Sequence, residues 1–149
     1  MNDTGQAANP FVGLRPFDGR DSLYYFGRKE QSHALLQQLY ANRFVAVIGS
    51  SGCGKSSLVR AGLIPNLEAG FLVQDRDLWQ IAIFKPGDAP IFNLAAALAK
   101  TAGSAETPAA PAEWVQTIQR RGGHHLAERL RDALGGQDSN LLVVVDQFE

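Results

Sequence analysis

The 149 residues carry 14 basic against 15 acidic side chains, with 45% hydrophobic and 19% charged residues, the balance of a globular chain with apolar material for one core. A formal charge of -1 without a basic run gives no electrostatic footprint for nucleic acid or an anionic membrane, and no apolar stretch reaches the roughly 18 to 20 residues of a membrane span. The single cysteine, Cys53, excludes an internal disulfide and a cysteine-built metal cluster; together with an amino terminus lacking a basic flank and an apolar run, this gives the expectation of a cytoplasmic protein.

Residues 1–8 are small and polar and read as a disordered tail, so the domain is expected over 9–149. Asn9-Pro10-Phe11 and Arg15-Pro16-Phe17 form a lead-in punctuated by proline and glycine, expected to lie extended against the domain. Between Lys29 and Tyr40, Ala34, Leu35, Leu36 and Leu39 recur at helical spacing and predict an amphipathic helix. The period then changes. Phe44 to Ile48 is a continuous apolar run rich in β-branched residues, the pattern of a strand buried on both faces. A glycine-rich turn follows directly, and a helix is predicted from Lys55 to about Leu63, weakened by Gly62 and closed by Pro65.

Leu78 to Phe84 predicts a second strand, cut off by Pro86-Gly87. A helix opened by Asp88 or Pro90 follows, with Ile91, Leu94, Ala95, Leu98 and Ala99 on one apolar face and an end at Ala102-Gly103. After a loop from Gly103 to Pro111, two short helical patterns, Glu113 to Arg120 and His124 to Leu134, are separated by Gly122-Gly123. Trp79 and Trp114 fall in apolar patterns and are assigned to core packing. His124 and His125, about 100 degrees apart on a helix, make a poor ligand pair. Leu141 to Val145, ending in Asp146, is a third buried-strand signature. Strands alternating with helices argue for an α/β fold with a parallel sheet covered on both faces.

Gly49-Ser50-Ser51-Gly52-Cys53-Gly54-Lys55-Ser56 fits the phosphate-loop pattern known as Walker A. The chemistry explains the residue types. A loop that wraps a triphosphate must turn consecutive N–H groups inward, through backbone angles that glycine tolerates, and the helix starting near Lys55 aims its positive end at the same charge. Lys55 is the expected partner of the β and γ oxygens, and Ser56 the hydroxyl ligand of Mg2+. Cys53 occupies a free position of the motif as a small filler. Asp146, closing its apolar strand, has the form of a Walker B carboxylate and is the second expected Mg2+ ligand. Glu149 is a candidate base for the attacking water. In a continuing strand residues 146 and 149 point to opposite faces, so that role requires the chain to turn after Asp146; a solvated glutamate is the alternative.

The chain resembles the STAND signalling NTPases, and within them the bacterial novel STAND domain often fused to WD-repeat propellers. The resemblance rests on Asn9-Pro10-Phe11, on Gly13 to Phe17, on Tyr25-Phe26-Gly27-Arg28, on Gly49 to Ser57 and on Val143 to Glu149. It implies a three-layer α/β/α P-loop NTPase with a mainly parallel sheet. It further implies that Phe26, Gly27 and Arg28 contact the adenine end of the nucleotide, although Lys29 stands where the related sequences carry Glu. Gly49 through Ser57 hold ATP with Mg2+, and Lys55 and Glu149 serve catalysis. The activity implied is an ATP-hydrolysing switch in a multidomain protein, with partner domains such as a propeller or effector and a homo-oligomer in the ATP state. The family's sheet places a later strand between the Walker A and Walker B strands. The sequence stops before supplying it, so a truncated, aggregation-prone chain is the expectation. Two other readings use the same loop: a nucleotide-dependent interaction module without significant hydrolysis, and a metabolic P-loop kinase. GTP stays open as an alternative to ATP.

Overall fold

The computed structural model describes residues 13, 15–70, 78–103, 110–133 and 139–147. The tail at 1–8, Asn9 to Phe11 and Glu149 lie outside the described residues. The chain divides into two compact units, Met1–Leu72 and Val73–Glu149.

In the first unit a 3-10 helix, Gly19–Tyr24, is capped by Asp18, which accepts from the Arg20 N–H, while Asp21 reaches back to the Asp18 N–H at 2.9 Å. This reciprocal cap satisfies amides that a short helix leaves without internal partners. Helix α1 (Lys29–Asn42) follows and buries Ser32, Leu35 and Leu36; Ala34, assigned to the same face from the sequence, is exposed. Left-handed Arg43 ends it, with its N–H bonded to the Leu39 carbonyl at 2.8 Å.

The predicted strand Phe44 to Ile48 does not form: these residues pair with no strand among the described residues, and Phe44 and Ile48 are 81% and 91% exposed. An apolar run specifies a tendency to burial, but a strand exists only through a ladder with a non-local partner.

The helix after the glycine-rich turn also differs from expectation, because it runs through Pro65. It starts as α2 (Lys55–Ser57), widens into a π-helical segment, Leu58–Leu63, and continues as α3 (Ile64–Glu68). In a regular α-turn the proline ring would collide with the carbonyl four residues back. The wider turn, in which the Ile64 N–H donates to the Val59 carbonyl, accommodates it. Gly62 serves packing here: a Cβ on it would overlap Ser32 Oγ and come within 3.3 Å of the Tyr25 ring, so its bare backbone lets α1 approach the π-helical segment. Ala61, Leu63, Ile64 and Leu67 are buried along this stretch.

In the second unit β1 (Leu78–Phe84) and β2 (Ser139–Val145) pair in parallel, from Leu78 opposite Ser139 to Phe84 opposite Val145. Between them lie α4 (Pro90–Ala102), opened by proline in its first turn and ended at Gly103, and α5 (Pro111–Ala133). Ala82, Ala95, Leu98, Ala99, Trp114 and Leu130 form the core. Ile91, expected on that face of α4, is 41% exposed. The sheet is not covered on both faces as the sequence suggested: Leu142 is buried, but Val143 and Val145 are 39% and 45% exposed.

The expected break at Gly122-Gly123 is replaced by a continuous helix that bends. A straight helix would separate Glu113 and Arg129 by about 24 Å, beyond the reach of both side chains. Yet Arg129 donates to Glu113 Oε2 at 2.5 Å and to Thr117 Oγ1 at 3.3 Å. Glu113, Gln116, Thr117 and Arg120 on one arm therefore face His125, Glu128, Arg129 and Asp132 on the other across a cleft of about 510 Å3. Glycine within a helix costs only about 1 kcal/mol relative to alanine and removes the side-chain bulk that resists a kink. The bend brings Trp114 and Leu130 into one core.

Candidate functional site

The glycine-rich turn is built by its own backbone. The Cys53 N–H donates to the Ser50 carbonyl at 3.3 Å, and Gly52 and Gly54 take φ of +76° and +88°, in the left-handed region that side chains resist. Gly54 is the N-cap of α2, and its carbonyl accepts the first helical bond, from the Leu58 N–H at 2.9 Å. At the other end of the turn, a Cβ on Gly49 would stand 2.9 Å from Cys53 Sγ and 3.8 Å from Lys55 Cδ. The turn thus closes on itself with room at Gly49 only for hydrogen. Cys53 packs there as the small filler expected.

Lys55 extends back across this turn, donating from Nζ to the Gly49 carbonyl at 2.8 Å and to the Ser50 carbonyl at 2.9 Å. Its positive charge is therefore held over the loop beside the start of a helix, where unpaired amides add their own partial positive charge. Ser50, Ser51 and Gly52 are exposed, and Cys53 through Ser57 are half-buried. Ser57 Oγ accepts the Phe17 N–H at 3.1 Å, which ties the lead-in to the helix that follows the loop.

The lead-in is further braced. Arg15 places two nitrogens on the two oxygens of Asp21, at 2.5 and 3.0 Å, and Arg20 pairs with Asp18 at 3.0 Å. The Arg15 bonds and the Asp18 N–H hold the Asp21 carboxyl down to about 2, and the Arg20 guanidinium lowers that of Asp18. The Phe17 and Tyr25 rings meet at 5.8 Å between centroids, and burial raises the Tyr25 phenol. The Asp18-Gly19-Arg20-Asp21 spacing is a capping-box signal carried by the sequence itself.

Of the three residues assigned to the adenine end, Phe26 is 74% exposed and Gly27 is left-handed at φ +83°. The Arg28 guanidinium reaches the phosphate loop, with Cζ and Nη1 3.8 Å from the Cβ position of Gly54.

In the second unit Asp146 directly follows β2. Its N–H donates to the Phe84 carbonyl at 2.9 Å, extending the ladder by one bond, and the residue is buried at 9% exposure. Gln147 then takes a left-handed φ of +56°, so the extended strand ends there. Glu149 lies outside the described residues. Trp114 is buried as assigned, with the Arg129 guanidinium 5.0 Å from its ring centroid, and Trp79 is half-buried. Among the described residues no group of three or more His, Cys, Asp or Glu converges as a metal site, and no helix is long and apolar enough to cross a membrane.

The turn brings the Lys55 ammonium and the Arg28 guanidinium to left-handed glycines at a helix start, where the first amides lack helical partners. This donor set fits a polyphosphate anion. A glycine-closed, lysine-crossed turn of this kind marks the P-loop nucleotide-binding class. Compared with known families, residues 10–149 match Novel STAND NTPase 1, and the chain belongs to that family of P-loop NTPases with its α/β fold and nucleotide binding. No solved structure matches the chain.

Proposed function

We propose that the chain binds ATP with Mg2+ on the loop Gly49 to Ser57 and serves as the ATP-hydrolysing switch of a multidomain signalling protein. The observation that carries the reading is the Lys55 ammonium, held at 2.8 and 2.9 Å on the carbonyls of Gly49 and Ser50 above a turn with left-handed glycines at 52 and 54. In this reading the amides of Ser50 through Ser57 line the phosphates, and Lys55 neutralises charge on the β and γ oxygens. Phe26 and Gly27 lie toward the base.

Ser56 and Asp146 supply the hydroxyl and carboxylate oxygens for the metal, whose chemistry when bound is to neutralise phosphate charge and polarise the transferred group. Glu149 holds and deprotonates the attacking water. The turn at Gln147 supports that role, because it ends the strand parity that would aim Glu149 away from Asp146. Residues 9–149, after a tail at 1–8, form the amino-terminal part of a domain whose full form is three-layer α/β/α with a mainly parallel sheet. Its partners are the other domains of the full protein and, in the ATP state, further copies of itself.

Single-turnover phosphate release separates hydrolysis from binding alone. The intact chain is expected to release phosphate from ATP without an added acceptor, and Glu149→Gln is expected to bind ATP as tightly while releasing it at least about 100-fold more slowly. Equal rates in the two proteins would remove Glu149 from the chemistry, and ATP binding without phosphate release would favour the interaction-module reading.

A further inference from the structure

We propose that the lead-in from Arg15 to Tyr25 regulates the loop as a strap: its bond to Ser57 and a nucleotide on the loop stabilise one another, so that opening the strap lowers nucleotide affinity. This rests on the reading of Gly49 to Ser57 as the phosphate loop and adds a means of controlling it.

The helix that leaves the loop is unevenly anchored. Its first turn, α2, buries no residue, whereas α3 buries Ile64 and Leu67. Between them lies the π-helical segment Leu58–Leu63, and Ser57 is the residue at which α turns pass into π turns. Because π turns occur mostly singly inside α-helices, often at functional sites, this stretch is the compliant part of the helix.

The strap bridges that stretch. At one end the Phe17 N–H donates to Ser57 Oγ at 3.1 Å, across forty residues of sequence. At the other, the Tyr25 ring lies 3.3 Å from the Cβ position of Gly62, and the Phe17 and Tyr25 rings meet at 5.8 Å. The Gly62 carbonyl is itself held by Asn66 Nδ2 at 2.6 Å, so this end sits on the anchored side of the helix. The strap is also braced internally, by the two bonds from Arg15 to Asp21 and by the Asp18 cap. One end on Gly62 and the other on Ser57 therefore resist movement of α2 relative to α3.

A phosphate ligand orders the same turn. In the proposed function the amides of Ser50 through Ser57 line the phosphates, so the ligand fixes α2 from the loop side while the Phe17 N–H fixes it from the strap side. Whichever is in place lowers the ordering cost met by the other. The coupling is reciprocal by linkage, and one backbone-to-hydroxyl bond sets its size, a factor of about 5. A partner that pulls on the lead-in thus loosens the nucleotide without touching it.

Hydrogen exchange at the Phe17 amide, read by NMR in the full chain alongside calorimetric affinities, tests the coupling. Saturation with ATP and Mg2+, or with inorganic tripolyphosphate, which has no base to contact, is expected to slow Phe17 exchange about 5-fold. Tyr25→Ala, which frees the Gly62 end, is expected to lose affinity for both ligands by about that factor and to exchange fast at Phe17 with or without ligand. Arg15→Ala, which loosens the brace alone, replaces it if the first variant does not fold, with the same direction and a smaller factor. Ligand binding that leaves Phe17 exchange unchanged in the parent overturns the proposal, as does unchanged affinity in the folded variants. If the parent binds neither ligand, the loop reading itself fails and the coupling falls with it.

Discussion

The Arg129 guanidinium covers the ring of Trp114 at 5.0 Å from its centroid while bonding to Glu113, sixteen residues earlier in the same helix. One side chain thus clamps the two arms of bent α5, over a tryptophan that is 1% exposed. Its share in stability comes more from the ring and from its own stem than from the ion pair, because Glu113 is 64% exposed. Arg129→Ala is expected to cost about 1 kcal/mol, and Glu113→Ala at most about half of that. Urea denaturation followed by tryptophan fluorescence measures both, and equal losses would show that the ion pair, not the ring contact, holds the bend.

Gly62 offers a sharper test of packing in the first unit. Alanine is the better helix former by about 1 kcal/mol, so Gly62→Ala would stabilise an unpacked helix. Here the new methyl overlaps Ser32 Oγ, which its bond to the Arg28 carbonyl keeps in place. Overpacking at about 1 to 3 kcal/mol, with disruption of that bond, outweighs the helix gain, and a net loss of about 1 to 2 kcal/mol is expected. Ser32→Ala removes the overlapping oxygen. The double variant should therefore be less destabilised than the sum of the single ones by at least about 1 kcal/mol in chemical denaturation, and simple additivity would contradict the contact.

The Arg15–Asp21 pair makes the lead-in sensitive to acid. Asp21 is held down to about 2, first by the Arg15 hydrogen bonds and then by the Asp18 N–H. A carboxyl lowered in the folded state contributes stability that is complete above its ordinary value near 3.8 and is lost as pH falls toward 2. Carboxyl carbon NMR is expected to show an Asp21 midpoint near 2 in the parent chain and a higher one in Arg15→Ala. A parent midpoint at the ordinary value would mean that the clip does not persist in solution.

Much of this architecture is legible in local patterns. The limits of β1 follow from Leu78 to Phe84 and the Pro86-Gly87 stop, those of α4 from Pro90 and Gly103, and the phosphate turn from its glycines and lysine. What escaped depends on contacts between residues far apart in sequence. Phe44 to Ile48 has the composition of a buried strand, but nothing within the run says which strand would pair with it. Pro65 reads as a stop because the pattern cannot show that a π-helical turn ahead of it makes room for the ring. Gly122-Gly123 reads as a break, and only the reach of Arg129 to Glu113 shows that the helix bends through it.

At the site, the loop was readable because its chemistry demands glycine and lysine at fixed spacing. The position of Arg28 was not. Its neighbours in sequence fix its helix cap, but the partner at Gly54 depends on how α1 packs against the helix that follows the loop.

In the proposed function, Gly49 to Ser57, crossed by Lys55, binds the phosphates of a nucleotide. Titration of ATP with Mg2+ into the parent chain and into Lys55→Ala tests it most directly. Binding in the micromolar range is expected for the parent and a loss of at least about 30-fold in the variant, the effect of deleting a charge-assisted contact at the polyphosphate. Equal affinity in the two proteins, with both shown to be folded, would contradict it.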